Sequence, residues 1–298
     1  MTDVSRRFSA RVVATHGRHY FIETEAGDIL EAIRRGKRGD VVVGDQVRCS
    51  QAAPGQAAIE AIEPRSSLLY RSDEFKTKEL AANIAQVAVV FASRPTFNPW
   101  FIWKALLAAE MAEISPLVIR NKSELEEGAP AAQAFVEQLS ALGYATLSLS
   151  ATGAPETARA LLEPRLAGRS TLLVGQSGMG KSTLLNLLVP SANARTQEYS
   201  RRLNLGKQTT TTSRWFPYGD NGAIVDSPGF QEFGLAHLTR DAVARAMPDI
   251  APWLGQCRFQ NCRHLDEPGC AVKAALESGA LAPARYEFYR VLALQAAR

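Results

Sequence analysis

The first part of the chain, up to about residue 65, alternates short apolar segments with glycine-containing turns. Segments 11–14, 19–23 and 28–31 have the composition of short strands, and residues 40–47 have that of a turn leading into another strand. About five short strands in so short a region predict a small barrel such as an OB-fold. Such barrels often bind oligonucleotides, but many are scaffolds, so this pattern alone leaves RNA binding open.

The hydrophobic pattern changes after a polar, mixed-charge stretch at 66–80, which we interpret as a linker. Residues 86–91 form a continuous apolar run, as in a strand buried on both faces. Further strands are predicted at 116–119, 145–149, 171–174 and 223–225, and helices at 99–113, 130–142 and 181–189. This alternation predicts a doubly wound α/β domain with a parallel sheet. Residues 237–298 contain amphipathic helical segments, one of them at 284–297.

The composition is that of a globular protein, with 46% hydrophobic and 21% charged residues. No apolar run reaches the ~18 residues that a transmembrane helix needs. Residues 1–11 lack the apolar core of a secretory signal, so we predict a cytoplasmic protein without a membrane partner. The formal net charge of +4 is a mild basic excess, which permits a nucleic-acid partner without requiring one.

One segment matches the P-loop pattern for phosphate binding at every fixed position. It reads Gly175-Gln176-Ser177-Gly178-Met179-Gly180-Lys181-Ser182, followed by Thr183, with a predicted strand before it and a predicted helix after it. The glycines let backbone N–H groups surround the phosphates of a nucleotide, and the helix N-terminus adds its positive end. We expect Lys181 to reach the β- and γ-phosphates and Ser182 to ligate Mg²⁺.

Two segments after the P-loop have the features of nucleotide switches. Asp226-Ser227-Pro228-Gly229 follows the strand at 223–225, where Asp226 can hold Mg²⁺ through water and the Gly229 N–H can approach the γ-phosphate. In the polar loop at 206–212, we expect Thr211, or its neighbour Thr210, to complete the Mg²⁺ shell. The candidate catalytic residues are therefore Lys181, Ser182, Thr211, Asp226 and Gly229.

A candidate guanine-binding motif lies before the P-loop. Asn121-Lys122-Ser123-Glu124 resembles the NKxD motif, with Glu124 in the place of its aspartate. A carboxylate there accepts hydrogen bonds from guanine and rejects adenine, because adenine would leave it unpaired. Ser150 and Ala151 follow the strand at 145–149 and are candidates for the loop that touches the guanine carbonyl. We therefore expect the bound nucleotide to be GTP. The alternative is an ATP-using enzyme, in which the match of Glu124 to the motif is accidental.

The motifs occur in an unusual order, because the base motifs precede the phosphate motifs. An ordinary G domain has the reverse order. Both orders are compatible with one fold if the original termini were joined and new ones were opened elsewhere. Such a rearrangement is possible where the original chain ends lie close together. The sequence therefore predicts a circularly permuted G domain.

Three cysteines and a histidine are clustered near the C-terminus, in the pattern Cys257-x4-Cys262-x-His264-x5-Cys270. In a cytosolic protein such clustering indicates a metal site rather than disulfides, and three thiolates with one imidazole suit a closed, structural Zn²⁺ site. Arg258 and Arg263 make this loop basic, as expected for a surface that faces RNA phosphates. The remaining cysteine, Cys49, lies in a strand pattern and is predicted to be a buried small hydrophobe.

On these residues the sequence resembles the circularly permuted, ribosome small-subunit-dependent GTPase A family. The likeness covers nearly the whole chain and rests on residues 81–84, 121–122, 175–183, 209–211, 226–230 and 257–272. The resemblance implies an N-terminal OB-fold domain (1–66), a circularly permuted G domain (67–236) and a C-terminal helical zinc-binding domain (237–298). It also implies a GTPase that binds the small ribosomal subunit late in its assembly and is stimulated by it. We expect a monomer that contacts ribosomal RNA.

The sequence departs from the family pattern at three positions. Glu124 replaces the usual Asp, Gln208 stands where the family usually has His, and Ala85 stands where Asp is common. In addition, Phe230 follows Gly229, where many G proteins carry the Gln that orients the attacking water. A phenyl ring cannot do this, so we expect slow intrinsic hydrolysis that depends on an activator.

The permuted order places the switch at Asp226 directly before the C-terminal region. We therefore expect GTP to set the position of the zinc domain for ribosome docking, and GDP to release it. The alternative from another functional class is a scaffold protein that binds RNA during assembly and whose nucleotide switch is degenerate.

Overall fold

The computed structural model describes residues 7–17, 19–34, 41–72, 77–192, 213–227, 235 and 238–296. Its strands are β1 (Arg7–His16), β2 (His19–Thr24), β3 (Ile29–Arg34), β4 (Gln46–Ala53), β5 (Gln56–Ile62), β6 (Leu68–Ser72), β7 (Thr77–Ala82), β8 (Gln86–Phe91), β9 (Ser115–Arg120), β10 (Ala145–Ser148), β11 (Ser170–Val174), β12 (Arg214–Tyr218) and β13 (Gly222–Asp226). Its helices are α1 (Pro99–Met111), α2 (Ala129–Ala141), α3 (Pro155–Leu166), α4 (Lys181–Leu188), α5 (Arg240–Ala246), α6 (Ala271–Glu277) and α7 (Pro283–Gln295), with a 3₁₀ turn at Ala251–Trp253. Within these ranges, no helix is both long and apolar enough to cross a bilayer.

The first five strands close into a barrel in the order β1–β2–β3–β5–β4, because β4 also pairs with β1. Strands β3 and β5 run parallel, and the other pairs in the barrel are antiparallel. The barrel interior is a hydrophobic cluster of its own, in which Val12, Ile22, Cys49 and Ile59 are completely buried. The predicted OB-like barrel is confirmed. The predicted burial of Cys49 is confirmed as well, and it raises the pKa of this thiol to about 12.

The sheet continues from the barrel into a central domain with the strand order β10–β9–β8–β11–β13–β12. The first five of these strands run parallel, and β12 is antiparallel to β13. Every residue of β8 is buried, which accounts for the apolar run from Val87 to Phe91. The predicted doubly wound sheet is confirmed. Because the five strands are parallel, their carboxyl ends, where the candidate motifs begin, lie at the same end of the sheet.

The interpretation of residues 66–80 as a linker is wrong, because β6 and β7 form an antiparallel hairpin there. Leu69 and Leu80 are buried and belong to the main hydrophobic core. In a hairpin with one buried face, only alternate residues point inward, so the segment has a polar composition although its inner face is apolar. Strand β12 and helix α3 also lie in segments for which the sequence pattern predicts no element.

Asn83 joins the barrel, the hairpin and the central sheet. Its side-chain amide donates to the Gly44 carbonyl oxygen at 2.9 Å, and its side-chain oxygen accepts from the Ser66 N–H at 2.8 Å. Its own carbonyl oxygen accepts from the Ser170 hydroxyl at 2.8 Å, at the start of β11. Asn83 has a φ of 57°, a left-handed conformation that Asn adopts more readily than most residues. Residues 81–84, one of the motifs on which the family resemblance rests, therefore connect three parts of the fold.

Strand β1 belongs both to the barrel and to the central sheet, because Ala14 pairs with Arg214 of β12. Beside this pairing, the guanidinium of Arg11 lies 4.4 Å from the centroid of the Trp215 ring, close enough for a cation–π contact. The barrel therefore meets the edge of the central sheet at the Arg214 end of β12.

The C-terminal region packs against the central domain through α7. Phe288 of α7 contacts Trp100 and Trp103 of α1, with ring centroids 5.3 and 5.5 Å apart. Arg285, also on α7, forms a buried bidentate pair with Asp249 at 2.7 and 2.9 Å. One continuous hydrophobic core consequently includes residues of both the central domain and this region.

Candidate functional site

The predicted P-loop lies at the carboxyl end of β11 and leads into α4. Gly180 has a φ of +93°, and a Cβ on this residue would lie 2.2 Å from the Nδ2 atom of Asn121. A Cβ on Gly175 would lie 2.3 Å from the Val90 carbonyl oxygen. Both positions therefore require glycine for a close approach. Among the described residues, no side chain caps the N-terminus of α4, so its first N–H groups are available to an anion such as a phosphate.

Lys181 and Asp226 interact electrostatically at this end of the sheet. The Lys181 ammonium donates to the carbonyl oxygens of Gly175 and of Gln176, at 3.0 Å in the second case. Burial lowers the pKa of Lys181, and the charge of Asp226 opposes that shift. Burial likewise raises the pKa of Asp226, against the charges of Lys181 and Arg214. A phosphate bound in the loop would compete with these carbonyls for the ammonium.

The two candidate Mg²⁺ ligands in the described ranges differ in exposure. Ser182 is exposed in the first turn of α4, whereas Asp226 is partly buried at the end of β13. The hydroxyl of Ser227, the next residue, donates to the Leu173 carbonyl oxygen at 2.9 Å. This bond fixes the end of β13 against β11 and thereby positions Asp226. A hydroxyl and a carboxylate are oxygen ligands of the kind that Mg²⁺ prefers.

The Asn121 side chain connects the candidate base site to the P-loop. Its Nδ2 atom donates to the Met179 carbonyl oxygen at 3.2 Å, and its Oδ1 atom accepts from the Ala151 N–H at 3.1 Å. Its own backbone N–H donates to the Phe91 carbonyl oxygen at 2.8 Å. Three loops that are far apart in the sequence therefore meet at one side chain, which is buried.

The remaining residues of the candidate base motif surround this contact. Lys122 has a φ of 56°, and its ammonium donates to the Arg94 carbonyl oxygen at 3.1 Å. Glu124 is exposed and accepts from the Thr152 hydroxyl at 3.4 Å. The Ser150 hydroxyl is the main influence that lowers the pKa of Glu124. An ionised carboxylate beside residues 150–152 is the arrangement that the guanine hypothesis requires.

Sequence reasoning missed the segment 93–98, which also borders the P-loop. The Asn98 N–H donates to the side-chain oxygen of Gln176 at 3.0 Å, and the Asn98 side chain caps α1 by accepting from the Trp100 N–H at 2.9 Å. A Cβ on Gly178 would lie only 3.1 Å from the ring of Pro95. The sequence signal that could have revealed segment 93–98 is its position after a predicted strand. A loop that follows a strand of the parallel sheet ends beside the P-loop.

Several predicted residues lie outside the described residues. They are Thr210, Thr211 and Gly229 of the predicted switches, together with Gln208 and Phe230.

The structure brings the three clustered cysteines and the histidine together, with all donor atoms within 4.8 Å of one another. The Sγ atoms of Cys257 and Cys270 are 4.0 Å apart, and the His264 Nδ1 atom lies 3.4 Å from the first and 3.6 Å from the second. Two sulphurs bound to one tetrahedral zinc at about 2.3 Å would be about 3.8 Å apart. Together with Cys262, this donor set therefore fits a four-coordinate zinc.

Hydrogen bonds around the cluster hold its loop in place. The Tyr286 and Tyr289 hydroxyls, both on α7, donate to the carbonyl oxygens of His264 and Arg263 at 3.0 and 2.9 Å. The Ala271 N–H points to the Cys257 sulphur at 3.4 Å, as expected around a metal-bound thiolate.

Comparison with known proteins identifies the family. The sequence model of the family described as RsgA GTPase matches residues 62–236. A protein of Burkholderia pseudomallei (strain K96243), named small ribosomal subunit biogenesis GTPase RsgA, is 50% identical over 293 residues, which cover 98% of this chain and 93% of the relative. The chain belongs to the RsgA GTPase family. An RsgA of Ralstonia nicotianae is 47% identical over 285 residues, covering 94% of this chain and 90% of that relative.

Two solved structures are similar in fold to this RsgA family member. YjeQ from Thermotoga maritima aligns with a TM-score of 0.73 at 28% identity, covering 98% of this chain and 99% of that chain. YloQ, described as a circularly permuted GTPase, aligns with a TM-score of 0.70 at 22% identity, covering 99% and 97%, and shows the same fold. The predicted permuted fold is therefore confirmed.

Membership of the RsgA GTPase family makes this chain a GTPase, as predicted. It implies GTP as the nucleotide and Mg²⁺ as the accompanying ion. The roles of individual residues stay predictions, as does the identity of the metal in the cysteine–histidine cluster.

Proposed function

We propose that this GTPase binds the small ribosomal subunit and assists its late assembly through GTP binding and subunit-stimulated hydrolysis. Relatives that match over nearly the whole chain are named small ribosomal subunit biogenesis GTPases. The structural observation that supports the proposal most is the Asn121 side chain, which links Ala151 to Met179 of the P-loop. It unites base and phosphate motifs that the permutation places in reverse order along the chain.

In this proposal, two groups of loops bind the nucleotide. The guanine would lie at residues 121–124 and 150–151, with the Glu124 carboxylate as the acceptor for its N–H groups. The phosphates would lie against the N–H groups of residues 175–183. Lys181 would exchange its two carbonyl partners for β- and γ-phosphate oxygens, which explains why a cation is kept in a partly buried loop.

The proposed Mg²⁺ ligands are Ser182, Asp226 and Thr211. When bound, the ion neutralises negative charge on the phosphates. The chain contributes by holding Asp226 at the end of β13, where Lys181 and Arg214 favour its ionised form. We propose that Gly229 contacts the γ-phosphate. With Phe230 in place of a water-orienting Gln, intrinsic hydrolysis is slow and the ribosomal subunit supplies the missing stimulation.

We propose that Cys257, Cys262, His264 and Cys270 hold one structural zinc ion. Four protein donors leave no open position on the metal, so the site stabilises the C-terminal region rather than taking part in hydrolysis. We further propose the domain limits 1–66, 67–236 and 237–298, with ribosomal RNA contacted by the first and last of these domains. The working protein would be a cytoplasmic monomer.

The decisive experiment measures GTP turnover with and without purified small ribosomal subunits. We expect slow turnover alone and a rate at least ten-fold higher with subunits. Fast turnover that subunits do not change would refute the proposal. A parallel arm adds excess ATP as a competitor, which should leave GTP binding unaffected if Glu124 selects guanine. Lys181→Ala serves as the control without turnover.

A further inference from the structure

Glu124 and Thr152 are brought together by two neighbouring parallel strands, β9 and β10. The last paired residues of these strands are Arg120 and Ser148. Glu124 and Thr152 each lie four residues after that pair, so the loops that carry them leave the sheet in register. Because parallel strands end at the same edge of a sheet, residues at equal distances from the pair can meet there. The Thr152 hydroxyl donates to the Glu124 carboxylate at 3.4 Å.

Hydrogen bonds fasten the two loops to each other before this contact is reached. The Leu149 N–H donates to the Arg120 carbonyl oxygen at 2.9 Å, and the Ser123 N–H donates to the Leu149 carbonyl oxygen at 3.1 Å. The Ala151 N–H then donates to the Asn121 side chain at 3.1 Å. The contact between hydroxyl and carboxylate therefore lies one residue beyond a stretch in which both loops are fixed.

A second hydroxyl, that of Ser150, acts on the same carboxylate. Its oxygen accepts from the Gly153 N–H at 2.8 Å, which leaves the hydroxyl hydrogen available to another acceptor. The Ser150 hydroxyl is the largest influence that lowers the pKa of Glu124, and the Thr152 hydroxyl lowers it further. Both hydroxyls therefore favour the ionised carboxylate, the form that accepts hydrogen bonds from a base.

A glutamate at this position needs such support more than an aspartate does. Its additional methylene adds a rotatable bond, and the Glu124 side chain is exposed, so the carboxylate would otherwise sample several positions. A carboxylate that is already held in one position loses less conformational entropy when the base binds. Contact with a neighbouring hydroxyl supplies this restraint.

We propose that Thr152 is a positioning residue for guanine selectivity. It holds the long side chain of Glu124 so that the carboxylate accepts from both the N1–H and the exocyclic amine of guanine. Thr152 thereby compensates for a glutamate that stands where the family pattern has an aspartate. The inference rests on the proposed function, since that function assigns the guanine to Glu124.

The test measures the Kd for GTP and for inosine triphosphate (ITP), whose base keeps the N1–H but lacks the exocyclic amine. Four full-length proteins are compared: wild type, Thr152→Val, Thr152→Ser and Thr157→Val. Valine keeps the branched shape and removes the hydroxyl, whereas serine keeps the hydroxyl. Thr157 is the matched control, because it is also exposed but lies on α3. Melting temperature is measured for every variant, and a general folding defect would weaken both nucleotides alike.

The wild type should bind GTP about ten-fold or more tightly than ITP, because ITP leaves the carboxylate short of one donor. Thr152→Val should reduce this preference about three-fold or more, by the loss of one hydrogen bond. Thr152→Ser and Thr157→Val should keep the wild-type preference. An unchanged preference in Thr152→Val, or an equal loss in Thr157→Val, would overturn the proposal.

A second background separates action through Glu124 from any other effect of Thr152. The shorter carboxylate of Glu124→Asp should not reach the Thr152 hydroxyl, so adding Thr152→Val to it should leave the preference for GTP over ITP unchanged. An equal loss in both backgrounds would also overturn the proposal.

The same titrations distinguish this inference from the proposed function on which it rests. A wild type that prefers GTP over neither ITP nor ATP would refute the assignment of guanine to Glu124. A normal preference of the wild type, combined with an unchanged preference in Thr152→Val, would refute the role of Thr152 alone.

Discussion

Asn121 is a single side chain on which three loops of the nucleotide site depend. It is 2% exposed, and its two amide ends contact the P-loop and the loop at Ala151. The base site and the phosphate site therefore share one structural element. A defect at this residue should affect nucleotide binding and folding stability together.

We expect Asn121→Ala to weaken GTP binding at least ten-fold. It should also lower the free energy of unfolding by about 1–3 kcal/mol, because the Met179 carbonyl and the Ala151 N–H lose a buried partner. Nucleotide titration and urea unfolding measure the two effects. Asn186→Ala, at an exposed position of α4, is the control. Equal behaviour of the two variants would contradict the bridging role.

Substitution of Gly180 tests the close approach of the P-loop to Asn121 separately from the effect of a left-handed backbone conformation. Gly180 and Gly143 have nearly the same φ, +93° and +90°, but a Cβ meets Asn121 at 2.2 Å only at Gly180, and nothing within 4 Å at Gly143. Substitution by alanine should cost each protein about 1–2 kcal/mol for the left-handed conformation. We expect Gly180→Ala alone to lose GTP binding as well. Retention of GTP binding by Gly180→Ala would show that the clash is relieved without harm.

The site residues differ in how far the sequence could reveal them. The P-loop, the Asn121 motif and the cysteine–histidine cluster are recognisable because their chemistry requires fixed local spacings. The contact of Asn98 with Gln176 joins residues 78 positions apart, and it depends on which strands are neighbours in the sheet. No local pattern encodes that neighbourhood.

At the scale of elements, the buried strands and the longer helices follow from the hydrophobic pattern. The hairpin β6–β7 does not, because few of its side chains face the core. Helix α3 is concealed by Pro164, which lies inside it, whereas Pro155 at its first position is compatible with a helix start. Its buried contacts, made by Ala158, Leu162 and Leu166, override the low helix propensity of proline.

Helix α7 contributes the arginine of two arginine–carboxylate pairs that have similar geometry and different burial. Arg285 and Asp249 have side chains only 4% and 8% exposed, whereas Arg290 and Glu287 are 47% and 46% exposed. Breaking the buried pair with Arg285→Met should cost about 3–5 kcal/mol, since Asp249 would remain charged in the interior. Breaking the exposed pair with Arg290→Met should cost at most about 1 kcal/mol.

Urea unfolding of both variants measures the difference. Adding Asp249→Leu to Arg285→Met should restore much of the lost stability, because no buried charge then remains. Equal destabilisation by the two single variants would show that burial is not what distinguishes the pairs.

At the scale of the whole molecule, the C-terminal region contacts the central domain at a helix that also reaches the P-loop. Asn98, which caps helix α1, donates to Gln176, and Trp100 and Trp103 of this helix contact Phe288 of α7. A GTP-dependent movement of the zinc domain would therefore involve α1 as well as the segment after Asp226.

Metal removal should affect the C-terminal region and the central domain differently. We expect one zinc ion per chain in the wild type, and little in Cys262→Ala. That variant should become sensitive to protease in residues 238–296 while it still binds GTP, because the P-loop contacts are elsewhere. Cys49→Ala, which removes a thiol from the barrel core, should retain the metal. Full metal content in Cys262→Ala would exclude this cysteine as a ligand.

The position of β1, in the barrel and beside β12 of the central domain, has a consequence for the solubility of shortened forms of this protein. If the barrel is cut away, β12 loses β1 as its strand partner at Arg214, and this end of the sheet edge is left with unsatisfied backbone groups. Such an edge is a template for strand addition by a second molecule. A chain beginning after the barrel should therefore self-associate into strand-paired aggregates, whatever its capacity to bind nucleotide, because the barrel no longer occupies this part of the sheet edge.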